Sequence, residues 1–192
     1  AQPLATVALP PIPHTSGRRT FKLKDVIDID RSEEIEYMHK DDIDAYFERF
    51  TELCHASPDP EEELTVEQLA ALTHAVKHNF APCVNFACWG PHNDRFQRQR
   101  SFHGLLLWPD GVLTKIEIRG PSCLEAWLEC FSVLSAALIM IGAVMPPTMD
   151  RYKKHIAKLV QTHGRECWAL IYQTEVCMRC ERMERIRREG SK

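Results

Sequence analysis

The stretch PSCLEAWLECFSVLSAALIMIGAVMPP, residues 121–147, decides the fold. Leu124, Phe131, Leu138 and Met145 alternate with Trp127, Leu134 and Ile141 through three heptads of a/d spacing, which predicts a helix packed along a continuous seam. From Val133 onward the opposite face is apolar too, with Ala137, Met140 and Val144. A helix apolar on all sides is surrounded by protein or by lipid. Pro146-Pro147 reads as its stop, leaving about 16 uncharged helical residues, or ~24 Å at 1.5 Å per residue. A hydrocarbon core needs ~30 Å, and no basic or aromatic anchors flank both ends of the segment. The stretch is therefore the central helix of a bundle. Ser122 and Glu125, just after Pro121, read as the capping box that opens it.

Working outward, Thr65 and Gln68 form a second capping box, opening a helix through Leu69, Leu72 and Val76 that ends before Pro82. Ile43, Phe47, Phe50 and Cys54 recur at helical spacing and predict a helix from Asp41 to about His55. Residues 57–63, with Pro58, Pro60 and three consecutive glutamates, read as a linker. Two β-rich runs, Phe102 to Trp108 and Val112 to Ile118, flank Pro109-Asp110-Gly111 and predict a hairpin. Further helices are expected over Thr148 to His163 and Arg165 to Glu189, with Gly164 capping the first. The expected fold is mainly α: a compact helical domain of about five helices with one β-hairpin. Residues 20–188 form it, and residues 1–19, with Pro3, Pro10, Pro11 and Pro13, are a flexible tail.

The chain has 192 residues, 44% apolar and 27% charged. That suits one domain with a sizeable core and excludes a wholly disordered chain. The net charge of −3 argues against a protein that coats nucleic acid or membrane by bulk charge. It hides a division. Residues 1–24 carry a net of +4, residues 25–67 carry 16 acids against three bases, and residues 68–192 carry a net of +6. A solvated acidic face explains this division most simply. The sharper reading is an acidic part, 25–67, that covers or competes for a surface on a basic body, 68–188.

Eight cysteines are scattered without framework spacing, and residues 1–19 have no apolar core of signal-peptide length. They read as reduced thiols of an intracellular protein, nuclear or cytoplasmic and not secreted. The chain begins on Ala1, and so reads as a fragment or a processed product.

Candidate chemistry is sparse. Cys177-Met-Arg-Cys180 lacks two further ligands at zinc spacing, so packed or exposed thiols are the preferred reading over a metal or redox site. His74, His78, Cys83, Cys88 and His92 fit no metal pattern. Asp28, Asp30, Asp41, Asp42 and Asp44 evoke a metal-dependent nuclease, but solvation accounts for them in so acidic a region. No phosphate loop, nucleophile elbow, metalloprotease helix or dinucleotide-binding glycine run occurs, so no catalytic residue, metal or cofactor is assigned. The basic and aromatic residues say more. Arg95, Arg98 and Arg100 alternate with Phe96 and Phe102 beside His92 and His103, a pattern suited to forked phosphate contacts and base stacking. Arg182 and Arg185 on the last helix are candidates for further phosphate contacts, although i,i+4 pairing with interspersed glutamates is the simpler account of that helix.

Six runs carry a resemblance when taken in order: Phe21-Lys-Leu-Lys-Asp-Val-Ile-Asp28, Leu64-Thr-Val-Glu-Gln-Leu-Ala-Ala-Leu72, Asn85-Phe-Ala-Cys-Trp-Gly-Pro91, Gly120-Pro-Ser-Cys-Leu-Glu-Ala-Trp127, Met149-Asp-Arg-Tyr152 and Cys167-Trp-Ala-Leu-Ile-Tyr-Gln173. Over about residues 20–188 the chain resembles an uncharacterised domain of retroelement-like repetitive open reading frames of dinoflagellate genomes. Members often continue into Cys/His-rich, zinc-finger-like segments, an arrangement similar to the assembly half of a retroelement polyprotein. The resemblance supplies no catalytic residue. After Trp-Gly-Pro the chain departs from it, placing His92, Asn93, Asp94 and Arg95 where members carry an aromatic and paired arginines. The expectation is a non-enzymatic, Gag-like or first-frame domain that self-associates and contacts single-stranded RNA, without a membrane. The alternative is a protein-interaction module with no nucleic-acid affinity, whose acidic part is the partner surface. An enzyme such as a metal-dependent nuclease comes third.

Overall fold

A computed structural model describes residues 20–22, 34–60, 62–78, 80, 83–87, 89–91, 100–107, 109–182 and 185. The tail expected over residues 1–19 lies outside them. In chain order the elements are β1 (Thr20–Lys22), β2 (Glu34–Glu36), α1 (Lys40–Cys54), α2 (Val66–Lys77), β3 (Ser101–Leu107) and β4 (Leu113–Arg119). Then follow α3 (Leu124–Met140), α4 (Pro146–His163), a 3-10 turn (Arg165–Cys167), α5 (Trp168–Val176) and a π turn (Cys177–Arg182). Five α-helices dominate the described residues, in line with the expectation of about five.

The central helix is α3. Trp127, Cys130, Phe131, Val133, Leu134, Ala137 and Met140 are all buried on it, and α1, α2 and α4 pack around it. This is what an all-round apolar helix requires when protein surrounds it. Among the described residues no helix is long and apolar enough to cross a membrane. Its ends differ from the sequence reading. The N-cap is Cys123 rather than Ser122, and no side chain caps the helix. The helix also ends at Met140, not Met145. Gly142 at φ 71° takes the left-handed conformation that terminates a helix, and the Arg49 guanidinium occupies the space a Cβ would need there. Pro146 and Pro147 do not stop α3. They open α4, at the first-turn positions where a missing N–H costs nothing.

The Thr65 box is built as read. The Thr65 hydroxyl accepts from the Gln68 amide at 3.1 Å, and the Gln68 side chain accepts from the Thr65 amide at 3.0 Å. The β3–β4 hairpin also forms as read, with Phe102 opposite Ile118 and Leu107 opposite Leu113. In its turn the Asp110 carboxylate accepts from the Val112 amide at 3.0 Å, and Gly111 takes φ 84°.

Two features depart from expectation. A second antiparallel pair joins β1 to β2, with Phe21 opposite Ile35. Each strand has three residues, too few for alternation to register, and of the six only Ile35 is buried. Among the described residues the single long helix expected over Arg165 to Glu189 is broken into the 3-10 turn, α5 and the π turn. Trp168 is the pivot, its indole donating to the Pro121 carbonyl at 2.8 Å and fixing α5 against the entry to α3.

Candidate functional site

Where α2, α3, α4 and the π turn meet, they leave an open cleft of about 650 Å³. Its floor comes from α3, through Phe131, Leu134 and Leu138. Val76 and Phe80 close one side, at and beyond the end of α2, and Ala143 and Val144 close another. Met149 and Tyr152 of α4 and Met178 of the π turn complete the wall. Polar side chains enter it at few points. Arg151 and His155, one turn apart and exposed on α4, give the rim a basic edge. The size suits a bulky apolar group.

The polar side of the cleft is a buried network. The Glu175 carboxylate is 2% exposed and accepts from Arg179 Nε at 2.8 Å and Nη2 at 3.5 Å. Tyr152 donates its hydroxyl to the same carboxylate at 3.3 Å. Burial, and after it the Glu175 charge, pushes the Tyr152 phenol well above the ordinary tyrosine value. Arg179 also donates from Nη1 to the Val84 carbonyl at 2.7 Å and lies over the Phe86 ring, 4.1 Å from its centroid. One guanidinium thus neutralises a buried acid and holds the 83–87 segment against the π turn.

A disulfide ties the same two segments, joining Cys83 to Cys180 with Cα atoms 5.1 Å apart. This corrects the reading of every cysteine as a reduced thiol. The partners are 97 residues apart, and only the packing of the last helix on the 83–87 segment brings them together. It also divides the Cys-x-x-Cys motif: Cys180 is bonded, while Cys177 is a free, exposed thiol. Cys130, buried beneath the 83–87 segment, donates to the Phe86 carbonyl at 3.8 Å. Burial pushes its thiol up to about 11, against the opposing pull of Arg100.

The structure distributes the expected nucleic-acid contacts unevenly. Arg95 and Arg98, with Phe96 and His92, lie outside the described residues. Arg100 is turned inward: its side chain is largely buried, Nη1 donates to Cys130 Sγ at 3.1 Å, and Nη2 lies 4.0 Å from Glu129. Phe102 is half-buried, its ring 6.0 Å from that of Tyr172, at the edge of the core. Arg182 lies in the π turn, and Arg185 is exposed beyond it. His74 and His78 share one face as their spacing predicts, their rings stacked 4.0 Å apart, with Phe80 beside both. Among the described residues no three His, Cys, Asp or Glu side chains converge for a metal ion.

Sequence reasoning missed the cleft, the Glu175–Arg179–Tyr152 network and the disulfide. The one local signal was Glu175 and Arg179 at i,i+4 beside Tyr172 and Val176 on the apolar stripe. No protein-family model, curated protein or solved structure matches this chain.

A second surface stands apart from the cleft and shares no residue with it. Towards the turn of the β3–β4 hairpin, Leu113 in the last strand pair, Val112 beside it and Leu105 two residues back along β3 are 63%, 54% and 68% exposed, with the Asp110 carboxylate at the tip. Neighbouring apolar side chains left in water mark an interaction surface more often than chance does.

Proposed function

We propose that this chain is a non-enzymatic assembly domain that self-associates head to tail, the hairpin tip of one copy entering the cleft of the next. The observation that carries this reading is that one chain presents both an exposed apolar knob, at Leu105, Val112 and Leu113, and an apolar cleft lined by other residues. Two different complementary patches on one molecule make a heterologous contact, which grows into chains or closes into rings. Charge agrees in sign: Asp110 at the tip meets a rim bearing the Arg151 guanidinium. The resemblance to retroelement-like reading frames fits the same role, since a Gag-like domain works by repeated self-contact.

Single-stranded RNA binding is the second reading. Arg185, exposed at the chain's basic end, favours it, while the inward turn of Arg100 takes one candidate phosphate contact from it. Light scattering separates the two. Assembly predicts a mass that rises with protein concentration above 22.1 kDa without RNA. Leu113→Lys, a change at an exposed site, should return it to the monomer with its circular dichroism unchanged. RNA-driven growth would need added RNA and would fall steeply with salt. A monomer at every concentration overturns the assembly reading.

A further inference from the structure

We propose that Cys83, Cys177 and Cys180 form a thiol–disulfide exchange site, in which the free Cys177 thiol displaces Cys83 from its bond with Cys180. Cys177 and Cys180 sit in one π turn, three residues apart, the first exposed and free and the second already bonded to Cys83. Such exchange proceeds by attack of a thiolate on a disulfide sulfur. Cys177 loses its proton and its Sγ attacks Cys180 Sγ. The Cys83–Cys180 bond breaks, and its electron pair leaves on Cys83 Sγ, which takes up a proton. The products are a Cys177–Cys180 disulfide and a Cys83 thiol. One disulfide and one thiol enter and leave, so no outside oxidant or reductant is required.

The step asks for a local rearrangement. Even on an α-helical turn residues three apart hold their Cβ atoms ~5–6 Å apart, and the wider π turn does not bring them closer, whereas a disulfide wants ~3.5–4.5 Å. The turn must therefore tighten by at least ~1–2 Å. A π turn holds an extra residue in its hydrogen-bonded ring, and such turns recur where function needs a helix to adjust. Glu181 checks the reaction: the Cys177 thiol donates to its carboxylate at 3.5 Å, which holds the thiol above its ordinary value and keeps the thiolate scarce.

Exchange has a structural consequence. The covalent tie between the 83–87 segment and the last helix is lost, leaving the Arg179 hydrogen bond to Val84 across the same gap. The new four-residue ring encloses Met178 and Arg179, both of which line the cleft. That exchange thereby alters self-association rests on the assembly reading. The chemistry does not.

Disulfide mapping tests the chemistry directly. The full chain, purified without reductant, is held at pH 6, shifted to pH 8.5, quenched in acid at intervals, alkylated and analysed by mass spectrometry. The proposal expects Cys83–Cys180 at the start, then a growing share of Cys177–Cys180 with Cys83 newly alkylatable. In Cys177→Ser, an exposed position, that conversion is lost and Cys83–Cys180 persists. A wild-type map that stays at Cys83–Cys180, one with all three thiols free, or conversion of Cys83 at the same rate in Cys177→Ser overturns it. Scattering mass recorded on the same samples separates the two readings: conversion without self-association defeats assembly and leaves the exchange site standing.

Discussion

Arg179 shows how one side chain acquires its role from burial. Four residues from Glu175, it forms what a helix surface would make an ion pair of a few tenths of a kcal/mol. Here the pair is removed from water, and Tyr152 and the Val84 carbonyl take up its remaining hydrogen-bonding capacity. Removing one partner leaves an uncompensated charge in the interior. Arg179→Met should therefore lower unfolding free energy by about 3–5 kcal/mol, and the double change Arg179→Met with Glu175→Gln by clearly less. Urea unfolding checks both, and a loss below about 1 kcal/mol in the single variant would show that the network is solvated. At this scale the sequence was a partial guide. The arginines were visible as a class, but whether each faces water or carbonyls depends on neighbours contributed from elsewhere in the chain. Arg100, a candidate phosphate contact by its sequence setting, lies against Cys130, 30 residues away.

The elements were more legible, because their signals are local. The 3.6-residue period, together with capping and glycine signals, located the five helices of the described residues, and the Pro109-Asp110-Gly111 turn located the hairpin. Errors fell at ends, where single residues decide. Pro146 and Pro147 remove amide donors, which ends one helix or begins another equally well; the left-handed Gly142 settles the matter by stopping α3 first. The two capping boxes make the same point. Both have Ser or Thr followed three residues later by Gln or Glu, yet only the one at Thr65 closes its hydrogen bonds, because α3 starts from Cys123. Thr65→Ala should cost about 1 kcal/mol. Ser122→Ala, one residue outside its cap, should stay within about 0.5 kcal/mol. Thermal unfolding of the two variants side by side is the check, and equal losses would restore the Ser122 box. The β1–β2 pair left no readable trace, since three-residue strands have no period to detect.

At the scale of the molecule, what matters is where distant segments meet, and that was least legible. The cleft needs four elements, and the Cys83–Cys180 bond spans 97 residues. No spacing encodes either. The exposed hairpin tip was closer to hand, as an apolar run interrupted by a turn, but its exposure becomes visible only once β3 is seen to lay its other face on α5. The proposed assembly pairs this tip with the cleft of a second copy. It is tested most directly by mixing two variants, each crippled on one side: Val112→Lys with Leu113→Lys at the tip, and Arg151→Glu with Met178→Glu at the cleft rim. All four positions are exposed, so both chains keep the fold. Sedimentation should find each variant alone at the 22.1 kDa monomer and the mixture at twice that mass and no larger, since only one competent pair remains. A mixture that stays monomeric while the unmodified chain self-associates would contradict the account.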